Sequence, residues 1–350
     1  MNKHGGYLGG NTAMVDFSIN INPLGMPPGV QSAIEAAMTD LGRYPEITGI
    51  SARDKLAADV GVSPEQLILG NGAIELIYLF VKSVKPKRAL IVTPTFNEYA
   101  RALKMNASCQ VASFALSPEE DFTIDRDKFC DAVKNFSPEV IFLCTPNNPT
   151  GKLVDQDFLE DLMMACPGET TWFVDESFIE FSGAAGCLAF MKQDRRQIFI
   201  LRSLTKFFGV PGLRIGYGVG SRAIVEQMAL HKEPWTINAF ALAAAKVVYD
   251  DAAYMENTRT YLQAERIRVR NAVSALPGIK VYESAADFHL YRVAGSAPAL
   301  QEKLNAKNIN VRTCEDFAGL EEHFFRAAIK KSEDNDRFIA ALTEILGEQE

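Results

Sequence analysis

A chain of 350 residues, 47% hydrophobic and 23% charged, has room for one large domain and a smaller one around an enclosed site. Its net charge of −8, with no block of lysine or arginine, argues against a nucleic-acid surface, and no apolar run approaches the roughly 20 residues that span a bilayer. The six cysteines (109, 130, 144, 166, 187 and 314) are scattered without CxxC or His–Cys clustering, so they read as core residues of a cytoplasmic protein and no metal site is expected.

In chain order, residues 1–29 have no regular period, which predicts an N-terminal arm lying across other parts of the fold. QLIL (66–69) reads as a strand. The stretch after Gly72 reads as a helix with Ile74, Ile77, Val81 and Val84 on one face. ALIVT (89–93), EVIFLC (139–144), TWFVDE (171–176), QIFILRS (197–203) and RIGYGVG (214–220) are further strands. Most are apolar throughout, as in a mainly parallel sheet buried on both faces, with sites expected at the strand ends. Residues 221–275 are mostly helical and alanine-rich. From about 279 to 346 the pattern KVYES, FHLYRV, a helix at 297–307, NVRTC, FFRAAI and a last helix reads as a smaller α+β unit. The expected division is a large α/β domain over 30–250 and a small C-terminal domain over 251–350, joined by the arm.

Four short stretches at strand ends carry chemistry. In LGNGAIE (69–75), glycines between a strand and a helix let backbone N–H groups and the helix N-terminus face a phosphate; a plain tight turn is the competing explanation. CTPNNPTG (144–151) fixes the amides of Asn147 and Asn148 at a strand end, unless it is only a turn. WFVDESF (172–178) delivers Asp175 after an apolar run, where a buried carboxylate needs a cation or a protonated heteroatom, or else caps the next segment. RSLTKFFGVPGLRIGY (202–217) places Lys206 in an apolar run, three residues after Ser203 and eight before Arg214. Burying that amine is costly unless it is used, and a nucleophilic amine beside an acid and a phosphate cradle suits a Schiff base with pyridoxal 5'-phosphate.

With GNGxxE, TPNNPTG, DE, SLTK and GLRIGY in this order, the chain resembles the fold-type-I pyridoxal-phosphate enzymes of the aspartate aminotransferase superfamily over nearly its whole length. Within them it is most similar to the branch holding histidinol-phosphate aminotransferase and threonine-phosphate decarboxylase. The resemblance implies that Lys206 bonds the cofactor and later moves protons, and that Asp175 keeps the pyridine nitrogen protonated. It implies that Asn148 donates to the phenolic oxygen and that Phe96 stacks on the ring. Gly72, Ala73, Ser203 and Arg214 would hold the cofactor phosphate, with Tyr44 reaching it from a second subunit of a homodimer. Arg312 and Arg326, with His4 and Asn20 from the arm and Asn148, would bind a phosphorylated amino-acid substrate. Lys330 is a further candidate for leaning toward that phosphate.

Three features point within the branch to decarboxylation of O-phospho-L-threonine, giving (R)-1-amino-2-propanol O-phosphate for cobalamin assembly. DFSININPLGMP (16–27) and EPWTINAFA (233–241) resemble the decarboxylase versions of those segments, and Phe178 stands where the aminotransferases typically carry a tyrosine. Losing that hydroxyl is expected to leave the phenolic oxygen more basic. O-phosphoserine is a possible substrate, with Trp235 and Leu24 as candidates for sensing the extra methyl. The competing activity is histidinol-phosphate aminotransfer.

Overall fold

A computed structural model describes residues 4–7, 9–193 and 197–347. The arm is the first element to find a partner. Its two-residue strand β1 (Val15–Asp16) pairs in parallel with Ile309–Asn310 from far along the chain. Beyond it the Phe17 amide donates to the Asn310 carbonyl at 2.8 Å, and the Ala328 amide donates to the Phe17 carbonyl at 2.8 Å. An aperiodic segment is thereby ordered by edge pairing with the C-terminal part, where its backbone groups find the partners they need.

The apolar runs form one seven-stranded sheet. It contains β2 (Leu67–Asn71), β3 (Arg88–Thr93), β4 (Gln110–Ala115), β5 (Val140–Cys144), β6 (Thr171–Asp175), β7 (Ile198–Ser203) and β8 (Ile215–Gly220), in the order β2-β8-β7-β6-β5-β3-β4. β8 runs antiparallel to both its neighbours, and the pairs among β3, β4, β5, β6 and β7 are parallel. Strands β5 to β8 are buried along their full length, which is why they read as continuous apolar runs. β4 escapes the pattern search because it is the sheet edge: Gln110–Ala115 is largely exposed and carries no apolar run.

Two elements differ from the sequence expectation. β2 starts at Leu67 because Ser63 and Gln66 close a capping box around a short turn just before it. The helix after Gly72 spans Ala73–Val84, and its buried residues are Leu76, Ile77, Leu79, Phe80, Val81 and Ser83. Ile74 and Val84 are only half-buried, so the buried stripe is rotated toward Leu76 and Phe80. The outward Ile74–Tyr78 side faces an open groove shared with Met105 and Asn106.

After helices Arg222–Ala229, Ala239–Ala245 and Ala252–Ser274, a second sheet collects β9 (Ile279–Val281), β10 (Phe288–Val293), β12 (Arg312–Thr313) and β13 (Phe324–Ala328), with β11 (Ile309–Asn310) engaged by the arm. Its order is β12-β13-β10-β9, antiparallel throughout, and helices Ala297–Ala306 and Ser332–Gly347 complete the unit. The register sets Arg312 directly opposite Arg326. One apolar cluster runs from β5 and β6 through Leu262 and Val269 to Phe325 and Phe338, so both sheets pack on a shared core.

Candidate active site

Strand ends of the large sheet, the arm and β12–β13 enclose a cavity of about 380 Å³. Asp175 lies at the end of β6, 4% exposed. The Tyr99 hydroxyl donates to its Oδ2 at 2.6 Å and the Ser177 amide to its Oδ1 at 2.8 Å, so the buried carboxylate has the partners its charge requires. Burial and the neighbouring Asp175 hold the Tyr99 phenol well above its ordinary pKa, which keeps it a donor. Cys144, in register with Asp175 on β5, is likewise kept as a thiol by burial. Neither Tyr99 nor Cys144 stood out in the sequence. The run from Thr95 to Tyr99 did contain the signal, since Tyr99 lies only three residues beyond Phe96.

Lys206 sits in the loop between β7 and β8, with Nζ 3.4 Å from Ser203 Oγ and 4.8 Å from the centre of the Phe178 ring. The side chain opens on the cavity, yet its amine is crowded by protein. Desolvation lowers its pKa and Arg214 adds to the fall, while Asp175, Asp287 and Cys144 act against it. An amine so placed gives up its proton more readily than a surface lysine, as a nucleophile and proton carrier must.

Beside it lies an anion cradle. Gly72, at φ +74°, turns β2 into the Ala73–Val84 helix, and a Cβ there would stand 2.3 Å from the Arg214 guanidinium. A Cβ on Gly216 would stand 2.8 Å from the Ala73 amide nitrogen. Glycine is therefore what lets the helix N-terminus, the β7–β8 loop and Arg214 converge. Arg214 itself is left-handed at φ +56° and donates to the Pro211 carbonyl at 3.2 Å. Ser203 Oγ and Thr205 Oγ1 are 2.9 Å apart, which adds Thr205 to the residues the sequence indicated.

The opposite wall is cationic. Arg326, 6% exposed, donates to Asn148 Oδ1 and, at 2.8 Å, to the Ser18 carbonyl, while its Nε has no partner. Burial pushes its pKa down to about 10. Arg312, 5% exposed, donates through Nη2 to both oxygens of Asp316 at 2.8 Å and through Nη1 to the Thr313 carbonyl. From the arm, Asn20 is buried with Oδ1 unpartnered, and His4 reaches the rim with Nε2 3.2 Å from Glu98 Oε1. The arm is pinned there: the Gly6 amide donates to Ser18 Oγ and the Tyr7 amide to Asp16 Oδ2, each at 2.8 Å. Phe96 and Phe178 supply aromatic walls, and the Phe178 ring meets Phe288 edge-on at 5.2 Å.

Lys206, Asp175, Ala73, Phe96, Asn148, Ser203, Arg214, His4, Asn20, Arg312 and Arg326 thus line one cavity, with Gly72 shaping it. Others fall outside. Tyr44 is 86% exposed beside Trp235, 5.4 Å between ring centres, away from its own chain's cavity. Trp235 and Leu24 are not among the lining residues, and Lys330 is tied to the Ile19 carbonyl at 3.3 Å. The donor set fits pyridoxal 5'-phosphate: a glycine-shaped anion cradle, a buried carboxylate on the floor, an aromatic wall and an amine with a lowered pKa.

Comparison with known proteins agrees with this geometry. Residues 12–342 match the family model described as aminotransferase class I and II. The chain is 36% identical to the threonine-phosphate decarboxylase of Salmonella typhimurium, covering 95% of this chain and 91% of that one. Among solved structures it resembles histidinol-phosphate aminotransferase from Clostridium acetobutylicum, with a TM-score of 0.89 and 30% identity over 95% of this chain and 99% of that one. It also resembles L-threonine-O-3-phosphate decarboxylase from Porphyromonas gingivalis, with a TM-score of 0.85 and 26% identity over the same shares.

Proposed function

The chain belongs to the class I and II aminotransferase family, and from that premise we propose that it is a pyridoxal-phosphate-dependent decarboxylase of O-phospho-L-threonine. The product is (R)-1-amino-2-propanol O-phosphate, the linker used in cobalamin assembly. The observation that carries this reading is the meeting of Lys206 and Asp175 with a register-paired set of arginines, Arg312 and Arg326, across one cavity.

Ser203, Thr205, Arg214 and the backbone of Gly72 and Ala73 would hold the cofactor phosphate, Asp175 would meet the pyridine nitrogen, and Lys206 Nζ would be the attachment point. Bound there, pyridoxal phosphate supplies a ring that accepts the electron pair left on Cα when a bond to it breaks. Arg312 and Arg326 take the substrate's phosphate, because a guanidinium fork matches a dianion with two parallel hydrogen bonds. With that end gripped, the substrate's carboxylate would be the group left ungripped and free to depart as carbon dioxide. Lys206 Nζ would be the group that carries a proton to Cα. Asn148, held by Arg326, couples the substrate grip to the cofactor side of the cavity. Orientation by these groups supplies much of the rate, since the substrate is fixed before the bond breaks.

Carbon dioxide released from O-phospho-L-threonine with no keto-acid acceptor present is the expected result. Amino transfer from histidinol phosphate to 2-oxoglutarate without such release would replace this reading with the aminotransferase one. O-phosphoserine lacks one methyl, worth about 1–3 kcal/mol in a fitted pocket, so it should turn over more slowly.

The active form is a homodimer. Tyr44 is 86% exposed and packs on Trp235, itself 45% exposed, away from its own chain's cavity, where a second copy would cover both. Sedimentation at micromolar concentration should give twice the chain mass of 38.6 kDa.

A further inference from the structure

We propose that Asp316 is an internal stand-in for the substrate's phosphate: its carboxylate occupies Arg312 until a phosphate dianion displaces it. This rests on the reading that Arg312 meets the substrate's phosphate. Two buried arginines stand directly opposite each other on β12 and β13, an arrangement in which like charges destabilise a sheet. Arg326 hydrogen-bonds only neutral oxygens, those of Asn148 and Ser18, with Asp287 acting on it through space alone, and keeps a buried Nε without a hydrogen-bond partner. The pair therefore calls for an anion. Asp316 supplies one to Arg312 through both carboxylate oxygens at 2.8 Å.

Asp316 is placed to yield. Its side chain is 20% exposed against 6% for Arg312, so the released carboxylate has water to turn to. Asn97, which lines the cavity, also bonds Asp316: Asn97 Nδ2 donates to the Asp316 carbonyl at 3.1 Å and to Oδ2 at 3.3 Å. Asn97 begins the Glu98–Lys104 helix on the large-sheet side, while Asp316 belongs to the loop after β12. A phosphate offers oxygens enough for both guanidinium groups, which a carboxylate held on Arg312 does not. Asp316 thus weakens the binding of any anion unable to replace it, and it makes dianion binding loosen a contact between the two walls. It acts through Arg312 and is a positioning residue, not a catalytic one.

The test is calorimetric titration of the cofactor-loaded enzyme with inorganic phosphate at fixed ionic strength, so that the cofactor's own phosphate site is filled. Asp316→Asn should bind phosphate about tenfold more tightly or better, the worth of one charge-assisted hydrogen-bonded contact. Asp316→Glu, which keeps the carboxylate, should stay near the parent. In an Arg312→Gln background the asparagine replacement should change nothing, so the double-mutant cycle assigns the gain to the pair. Equal or weaker binding by Asp316→Asn overturns the proposal, and so does the same gain without Arg312, which would reduce the effect to diffuse charge. If the cycle holds while carbon dioxide release fails, Asp316's role stands and only the substrate assignment falls.

Discussion

Replacing Asp287 with asparagine should stabilise the protein at neutral pH and leave it unchanged in acid. Asp287 precedes β10, is fully buried, and neither carboxylate oxygen has a hydrogen-bond partner. Lys330, Arg326 and Lys206 act on it through space, as does Arg266 from the Ala252–Ser274 helix. Burial wins, and the carboxyl is raised from 3.8 to about 6. With the folded pKa above the unfolded one, the native state holds a proton that the unfolded chain has released between about pH 4 and 6. Stability from this group is therefore present below pH 4 and lost as pH rises through 6. The shift of about two pKa units corresponds to ~3 kcal/mol at 1.36 kcal/mol per unit. Unfolding entropy for 350 residues is about 0.7 kcal/mol per kelvin, so the Asp287→Asn variant should gain about 4 °C in Tm at pH 7.5. His289, lowered to about 4 by burial, produces the opposite slope over an overlapping range, so variant and parent are compared at each pH to cancel it. Urea unfolding at fixed protein and cofactor concentration from pH 4 to 8 is the assay. A difference that is constant across that range, or that grows toward acid, would refute the reasoning.

Four further outcomes follow from the contacts around the cavity and its supporting ion pair. Lys206→Ala should lose the visible absorption of the bound cofactor and any adduct trapped by borohydride; an adduct at another lysine would remove the basis of the site. Phe178→Tyr adds the hydroxyl that the resemblance assigns to the phenolic oxygen and should lower the pKa read from the visible absorption, and an unmoved titration curve defeats the idea that Phe178 tunes it. Tyr99→Phe removes a 2.6 Å donor to Asp175, a charged hydrogen bond worth about 1.5–3 kcal/mol, so cofactor affinity measured by fluorescence titration should fall at least tenfold. Glu176→Gln breaks a fully buried pair with Arg202 at 2.6 Å and should cost about 3–5 kcal/mol in urea unfolding; a loss below 1 kcal/mol would mean that Glu180 carries the pair alone.

The large sheet was legible because burial on both faces leaves an unbroken apolar run, as VIFLC in β5 does. β4 was not, since an edge strand with one wet face writes no such run. The cofactor side of the cavity was legible for a related reason. Asp175 ends a buried strand, and Gly72, Lys206 and Arg214 lie in the turns that follow β2 and β7, so their short motifs show in the spelling. The rotated face of the Ala73–Val84 helix shows the limit of periodicity: when neighbours cover most of a helix, the strongest apolar stripe no longer marks the buried one.

The substrate side was legible only as residue types. Nothing in NVRTC or FFRAA states that Arg312 and Arg326 face each other, because register belongs to a pair of segments and not to either one. Once they are opposed, the electrostatic problem of two buried guanidinium groups exists, and Asp316 and Asn148 become intelligible as its answers. Asp287 follows the same logic from the other sign. A carboxylate with no bonded partner sits within reach of four cations, and its cost is visible only when their positions are known. Charges that look like ordinary composition in one dimension thus become, after folding, the terms that decide which anion the cavity accepts and at what pH the protein is most stable.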